Sequence, residues 1–580
     1  MTTPEGSASN LTDFVTTELY PGYEPGFGHN SYCVEAVRPF QPEDASRFWL
    51  LEGHWPRGIV PLGYSCIEDC AWGTQWAAQL LPLPTGKGLS ARFAGTHVYN
   101  TEIPVTSPWE AERRAALANA TFPDRIRNFP QQWEACRDEL LLRARHLETA
   151  PVDTMDMSAL AGYVDEVFSF QRWAWEQHFL FMYPLLANYF GLRALCEQLG
   201  VDTALVSKFL QGNDTKIMET DRQLWALADL AREHGIAHLF VAGDDETMAR
   251  LRATPQAANW LAALSQFLDT YGWRTDGMAD PDLAPWIEDP RPVLNLVATF
   301  LGGERHDFAA AAAAAVAERE QAIETARASL TTREWAEFEP VLRGCQHANF
   351  PWWNEEHDFY IDLRVHIPVR RAALALGRLV GAARPDDCLY LFKSELEDIV
   401  RGRRSYAEFA DVIPQRRSFR ELWAAQRARM PKMLGNVPDD VTDPVMKEIF
   451  GLRREFLQAV RDGVSAPELG GVAASSGSYT GRVRVLRHAS EIGSLQAGEV
   501  LVCEFTSPNW TPAFARIGAC VTDQGGVLSH TAIVSREYRV PCVTGVGIAT
   551  NVLRDGDLVE VDGTAGRVRI LERARVEELV

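Results

Sequence analysis

The sequence has too little positive charge to balance its acidic residues. Its 57 Lys and Arg against 78 Asp and Glu give a formal net charge of −21. Such a field repels nucleic acid, and no basic run interleaved with aromatics overturns it. The expectation is also that no apolar run reaches the roughly 18 to 20 residues that a membrane helix needs. The opening MTTPEGSASN lacks the basic and apolar regions of a secretory leader. A cytoplasmic protein with neither nucleic-acid nor membrane partners is therefore expected. Ten cysteines are scattered along 580 residues rather than gathered into a framework, as where thiols stay reduced. Cys66 and Cys70 have no second close Cys or His pair in sequence, so they read as buried thiols on a helix, and no metal site is expected in this chain. A Walker loop is missing too, because Gly86-Lys87-Gly88 has neither the earlier glycine nor a Ser or Thr after the lysine.

What is present is ample core material: 46% hydrophobic residues, with 17 Trp and 27 Phe. The length exceeds one ordinary core, so several domains are expected. Residues 1–106 are dense in Gly, Pro and aromatics with short alternating segments, which predicts a partly β subdomain. Residues 107–462 read as helical, rich in Ala, Leu, Glu and Arg with apolar residues at three- and four-residue spacings. Clear examples are 133–147, 369–380 after Pro368, and the alanine run 309–315. Gly, Ser, Ala and Pro then crowd 463–480, which predicts a hinge linker. From 481 to 580 the pattern changes to short β-branched segments bounded by Gly and Asp, with strands expected at 481–486, 499–505, 519–523, 541–546, 557–563 and 566–571. The fold class is multidomain: a largely α-helical domain followed by an α/β domain.

The stretch VTDQGGVLSHTAIVSREYRVPCVTGVG, residues 521–547, carries the chemistry. A strand leads into a double-glycine turn, and His530 stands where a helix begins. Gly525 and Gly526 allow a sharp turn, Ser529 and Thr531 place hydroxyls beside the imidazole, and Arg536 adds a cation within about two turns. Neutral imidazole is a nucleophile near pH 7, and its phosphoramidate is labile enough to pass a phosphoryl group onward. His530 is therefore read as a phosphoryl acceptor.

Residues 473–571 resemble the phosphohistidine swivelling domain of the phosphoenolpyruvate-utilising enzyme family, which includes phosphoenolpyruvate synthase and pyruvate phosphate dikinase. The resemblance rests on AASSGSYTGRVRV, TSPNWTPAFARIGACVTD, GGVLSHTAIVSRE and DGDLVEVDGTAGRV, in that order. It implies that His530 is the phosphorylated residue and that Thr522, Gly525, Gly526, Ser529, Thr531 and Arg536 surround it. The helical region more weakly resembles the substrate domain of rifampicin phosphotransferase and the corresponding subunit of phenylphosphate synthase, through segments 267–294, 352–377 and 386–400. No ATP-grasp region is found, and a phosphoenolpyruvate-binding barrel would have to follow residue 580. The resemblance therefore implies a partner ATP-grasp subunit that holds ATP and Mg²⁺, and a small phenolic acceptor. An antibiotic or natural-product phosphotransferase and a non-catalytic phosphocarrier are the alternatives.

An acceptor hydroxyl needs an aromatic-lined pocket, a base and positive charge. Within 352–371 the candidate walls are Trp352, Trp353, Phe359 and Tyr360. Glu355, Glu356 and His357 are candidate bases, and Arg364, Arg370 and Arg371 candidate clamps. A second aromatic stripe comprises Trp173, Trp175, His178, Phe179, Phe181 and Tyr183. Residues 272–276 could border the cavity, but Trp273 stands where the relatives commonly have histidine.

Overall fold

Two alternating segments, Gly86–Ala94 and His97–Pro104, turn back on each other at Gly95, whose φ of 59° suits glycine. In the computed structural model, which describes residues 19–23, 37–241, 245–302, 307–441, 443–462 and 468–574, they are β3 and β4 of a five-stranded sheet. Its order is β1-β3-β4-β2-β5, where β1 is Arg38–Pro39, β2 is Phe48–Leu51 and β5 is Met433–Gly435. The β unit expected near the start is present. It borrows its last strand from the far end of the helical region, so the two parts are one folding unit.

The helical region is organised around one long helix, Met157–Leu199. Asp156 caps it by accepting from Ala159 N at 2.8 Å, and Gly200 ends it at φ 71°. Helices Tyr64–Leu80, Phe350–Tyr360 and Ile367–Leu379 pack on it. Of the segments read as helical from their spacing, 133–147 and 309–315 lie inside Phe129–Glu148 and Phe308–Ser329, and 369–380 overruns Ile367–Leu379 by its cap residue Val380. One expectation is corrected: this long helix does contain a stretch apolar enough to cross a membrane by length and composition, with mean hydropathy 1.3. More than half of that stretch, 56%, is buried inside the protein, which accounts for its apolar character as the core of the helical layer. Its Gln171 is buried and donates to Asp69 at 2.8 Å.

The C-terminal sheet has eight strands, ordered β6-β13-β12-β8-β9-β10-β11-β7. The strands are β6 Glu468–Gly470, β7 Val472–Ser475, β8 Ser478–Val485, β9 Val500–Cys503, β10 Ala519–Thr522, β11 Cys542–Thr544, β12 Leu558–Asp562 and β13 Arg567–Glu572. The neighbours β8, β9, β10 and β11 run parallel, and helix His530–Glu537 connects β10 to β11. The expected strands all form. The expected hinge does not occupy the whole of 463–480: residues 468–470, 472–475 and 478–480 are strand, and 463–467 lie outside the described residues. The small residues there serve close packing, since a Cβ on Gly471 would lie 2.5 Å from Thr544 O.

Polar contacts dock this domain on the rest. Glu504 accepts from Arg427 Nε at 2.9 Å and pairs with Lys432, which also reaches Asp523 at 3.0 Å. Gln524 donates to Leu51 O at 2.6 Å, and Asn509 donates to Asp276 O. Gly525, Gly526 and Leu528 N–H groups bond to the carbonyls of Phe450, Ile449 and Glu448 at 2.9, 2.8 and 2.9 Å.

His97, fully buried at the start of β4, is pushed down to about 3, by burial first and then by the nearby Arg427 charge. It is neutral in the folded chain, whereas an exposed histidine binds a proton near pH 6.5. Its contribution to stability is therefore complete above about pH 6.5 and falls by about 1.4 kcal/mol per pH unit as the pH drops toward 3. Denaturant unfolding at pH 7 and pH 5 is expected to show a loss of about 2 kcal/mol from this group, absent in His97→Gln.

Candidate active site

His530 is the first residue of its helix and follows the C-terminal end of β10, the edge where parallel sheets present ligands. Ser529 caps the helix, accepting from Ala532 N at 3.3 Å and donating to Gly526 O at 2.9 Å. Gly525 has φ 119°, which favours glycine, and a Cβ there would meet Ser529 Oγ at 2.9 Å. A Cβ on Gly526 would lie 2.2 Å from Glu448 O, so this glycine permits docking of the turn on the helical region. Thr522 donates to Gln524 O at 2.7 Å, and Thr531 pairs with Thr506 through their hydroxyls at 2.7 Å. Arg536 is placed differently from expectation. It donates to Ala474 O and Val527 O, both at 2.9 Å, and therefore ties the loop instead of facing the imidazole's free nitrogen.

The imidazole itself is 5% exposed. Its Nδ1 lies 2.7 Å from Glu355 Oε2, and among the described residues Nε2 has no hydrogen-bond partner. Glu355 belongs to helix Phe350–Tyr360, so the contact crosses between the two units. A carboxylate on Nδ1 holds the proton there and leaves the lone pair on Nε2. Nε2 is thus the nucleophilic atom of the pair.

His530 borders a cavity of about 170 Å³ between the N-terminal sheet, the long helix and the C-terminal domain. Trp175, His178, Phe179, Met182 and Tyr183 line it, at successive offsets of three, one, three and one, which is one face of the helix. The second aromatic stripe thus supplies the wall. Its other two members do not: Trp173 lies under Arg143 at 4.1 Å, and Phe181 packs against Trp133 at 5.4 Å.

The segment 352–371 divides. His357 lines the cavity, and Glu355 touches His530. Trp353 is fully buried with its ring stacked on His357 at 4.2 Å. Trp352 and Glu355 border a separate space of about 30 Å³ on the far side. Trp352 donates to Asp214 O at 2.7 Å. Glu356 accepts from Lys216 N at 2.6 Å and from Tyr360 at 3.4 Å, which removes both from the cavity. Phe359 packs near Tyr271, with ring centroids 6.3 Å apart. The arginines are structural. Arg364 forms a buried two-pronged pair with Glu148 at 2.6 Å in both arms, Arg370 meets Glu288 at 3.1 Å, and Arg371 donates to Ala150 O at 2.8 Å. Burial demands a partner for each guanidinium, and these found theirs away from the cavity. Of residues 272–276, Arg274 stacks on Trp286 at 4.4 Å, and Asp276 takes part in docking.

Several lining residues had not been singled out: Glu52, His54 and Trp55 after β2, Asp358 and Asp362 around His357, and Thr506 beside the turn. The run His357-Asp358, with Asp362 one helical turn farther on, could have been found from spacing; Glu52 and His54 could not. Asp358 is held well above the usual carboxylate range, by burial first and then by Asp362 and Glu355. Although burial pushes Asp362 up, His178 and His357 hold it well below that range.

The site defines the class. Residues 495–566 match the family described as PEP-utilising enzyme, mobile domain, and residues 177–352 match the rifampicin phosphotransferase fourth domain. The first match contains His530 and the second contains His178. A chondramide synthase of Chondromyces crocatus is 30% identical over 91% of this chain and 14% of its own length. An uncharacterized phosphotransferase of Bacillus subtilis is 30% identical over 72% of this chain and 50% of its own length. A rifampicin phosphotransferase of a Streptomyces species is 29% identical, covering 70% and 47%. The chain therefore spans about half the length of these two phosphotransferases and far less of the synthase.

Glu355→Gln is expected to remove the preference of His530 for the Nδ1–H tautomer, read from imidazole ¹⁵N shifts in histidine-labelled protein. Circular dichroism is expected to show the fold intact in this variant.

Proposed function

We propose that the chain relays a phosphoryl group through His530 to the hydroxyl of a small phenolic acceptor bound in the cavity. ATP and Mg²⁺, held by a separate ATP-grasp subunit, would charge the histidine, with AMP and phosphate as by-products. The observation that carries this reading is Nε2 of His530, without a hydrogen-bond partner among the described residues, at the wall of an aromatic-lined cavity. An apolar cavity of about 150 Å³ takes up one benzene ring. A volume of about 170 Å³ therefore suits a single ring bearing a hydroxyl and is small for a macrocycle. A phosphocarrier would have no use for such a cavity facing its histidine.

In the transfer step the Nε2–P bond breaks and a P–O bond forms to the acceptor oxygen. The electron pair returns to Nε2, which takes up the hydroxyl proton, so the ring leaves the step as an imidazolium beside the Glu355 carboxylate. Glu355 keeps the leaving imidazole oriented through Nδ1. The aromatic face of the long helix holds the ring and excludes water, which would otherwise compete for the phosphoryl group. A phenol ionises near pH 10 in water, so charged and polar groups beside its oxygen are worth roughly a hundredfold or more in rate.

The test combines the purified chain with an ATP-grasp partner, ATP, Mg²⁺ and a panel of phenols, and measures aryl phosphate and AMP. Product is expected from the wild type and none from His530→Ala. Equal yields from both would remove the histidine from the reaction, and turnover of macrocyclic alcohols alone would move the acceptor class.

A further inference from the structure

His178 of the long helix meets His357 and Asp362, five residues apart in another segment, at the polar wall of the cavity. We propose that His178, His357 and Asp362 form a site for one divalent transition-metal ion of the zinc type, distinct from the Mg²⁺ that accompanies ATP. Its role toward the acceptor rests on the phosphotransfer reading; the binding of the ion does not.

His178 Nδ1 lies 3.3 Å from Asp362 Oδ1, and His357 Nε2 lies 3.6 Å from Asp362 Oδ2. The three ligand atoms are all within 4.8 Å of one another. His178 Nδ1, His357 Nε2 and Asp362 Oδ1 are buried and among the described residues none has a hydrogen-bond partner, a costly state for polar atoms in a folded core. The residues are 8%, 2% and 5% exposed. These contacts are ion pairs without hydrogen-bond geometry. They suit metal ligation better: in a tetrahedral site with bonds of about 2.0 to 2.1 Å, ligand atoms stand about 3.3 Å apart.

The surrounding contacts support the same reading. His357 Nδ1 donates to Trp353 O at 2.9 Å, which fixes the tautomer and directs the Nε2 lone pair inward, as in metal-ligating histidines. Its ring is also held by stacking on Trp353. Two imidazoles and one carboxylate select zinc, cobalt or a similar ion over Mg²⁺ and Ca²⁺, which take oxygen ligands. All three residues line the cavity, so the remaining coordination position opens toward the acceptor. A hydroxyl coordinated there ionises more readily and is presented as a nucleophile near Nε2 of His530. The neighbouring group of Glu355, Asp358 and His530 differs, because there the carboxylate and imidazole already share a bond of 2.7 Å.

The experiment titrates chelator-treated protein with Co²⁺ and follows the visible ligand-field band, then displaces it with Zn²⁺. A band that saturates at a single equivalent is expected, along with a rise in melting temperature. His357→Gln and Asp362→Asn are expected to weaken binding about tenfold or more, while melting like the wild type in chelator. His530→Ala should retain full binding, so loss of phosphotransfer in that variant leaves the metal result readable. Absence of a saturable band in the wild type, or undiminished binding in folded variants, overturns the site. If a variant does not fold, paramagnetic broadening of the His178 and His357 imidazole resonances in the wild-type chain decides: signals left sharp by Co²⁺ overturn the proposal.

Discussion

The hydrogen bond between His530 Nδ1 and Glu355 sets the terms for the rest of the site. Imidazole has two nitrogens, and only the one without a proton is nucleophilic. Glu355 decides which one that is, and it does so from the helical domain while the histidine belongs to the mobile one. The correct tautomer is therefore a property of the docked arrangement. The same contact buries the imidazole, so the group that would carry the phosphoryl meets the cavity and not solvent.

Polar contacts position that arrangement beside apolar ones, among them Leu528 in the core of the helical region and Tyr538 against Phe308 at 6.3 Å. Burial pushes Glu504 up, yet the Arg427 and Lys432 charges hold it far below the carboxylate range, so it stays ionised between two cations. Buried ion groups of this kind repay their desolvation only with good geometry, so they define a position more than they add adhesion. Backbone pairing of 525–528 with 448–450 acts in the same way, because each N–H left unpaired there would be buried. Both kinds of contact can be exchanged for water when the surfaces part, whereas a continuous apolar core could not. A docking face of this composition fits a domain that the family describes as mobile.

The C-terminal domain was the most legible part of the chain because its signals are local. Alternation and Gly or Asp boundaries located every strand named from 481 onward, and the double-glycine turn located His530. The hinge was overdrawn because small residues at close packing and small residues in a linker look alike in composition; Gly471 against Thr544 is an example. The cavity was half legible. A stripe at 175, 178, 179, 182 and 183 has helical spacing, but spacing alone cannot say whether a face meets a core or a cavity. Arg364 and Arg370 misled for a related reason: arginine near aromatics suggests an anion clamp, and only the fold reveals that Glu148 and Glu288 already hold them. Glu52 and His54 carried no signal at all, since their place depends on how the N-terminal sheet closes over the long helix.

The cavity has a chemical polarity that follows from these placements. Trp175, Phe179 and Met182 offer one side to a ring, while carboxyl groups and imidazoles occupy the other. Three carboxyl groups, Glu355, Asp358 and Asp362, are gathered on one short stretch of chain, and three ionised carboxylates this close would repel one another. Asp358 relieves the conflict by keeping its proton, pushed up by burial and by its two neighbours, whereas the flanking histidines hold Asp362 ionised against the same burial. The neutral carboxyl can then donate as well as accept. Under the proposed function, an acceptor whose ring lay against the aromatic face would turn its oxygen toward this wall, so the apolar half of the cavity would orient the atom that the polar half activates.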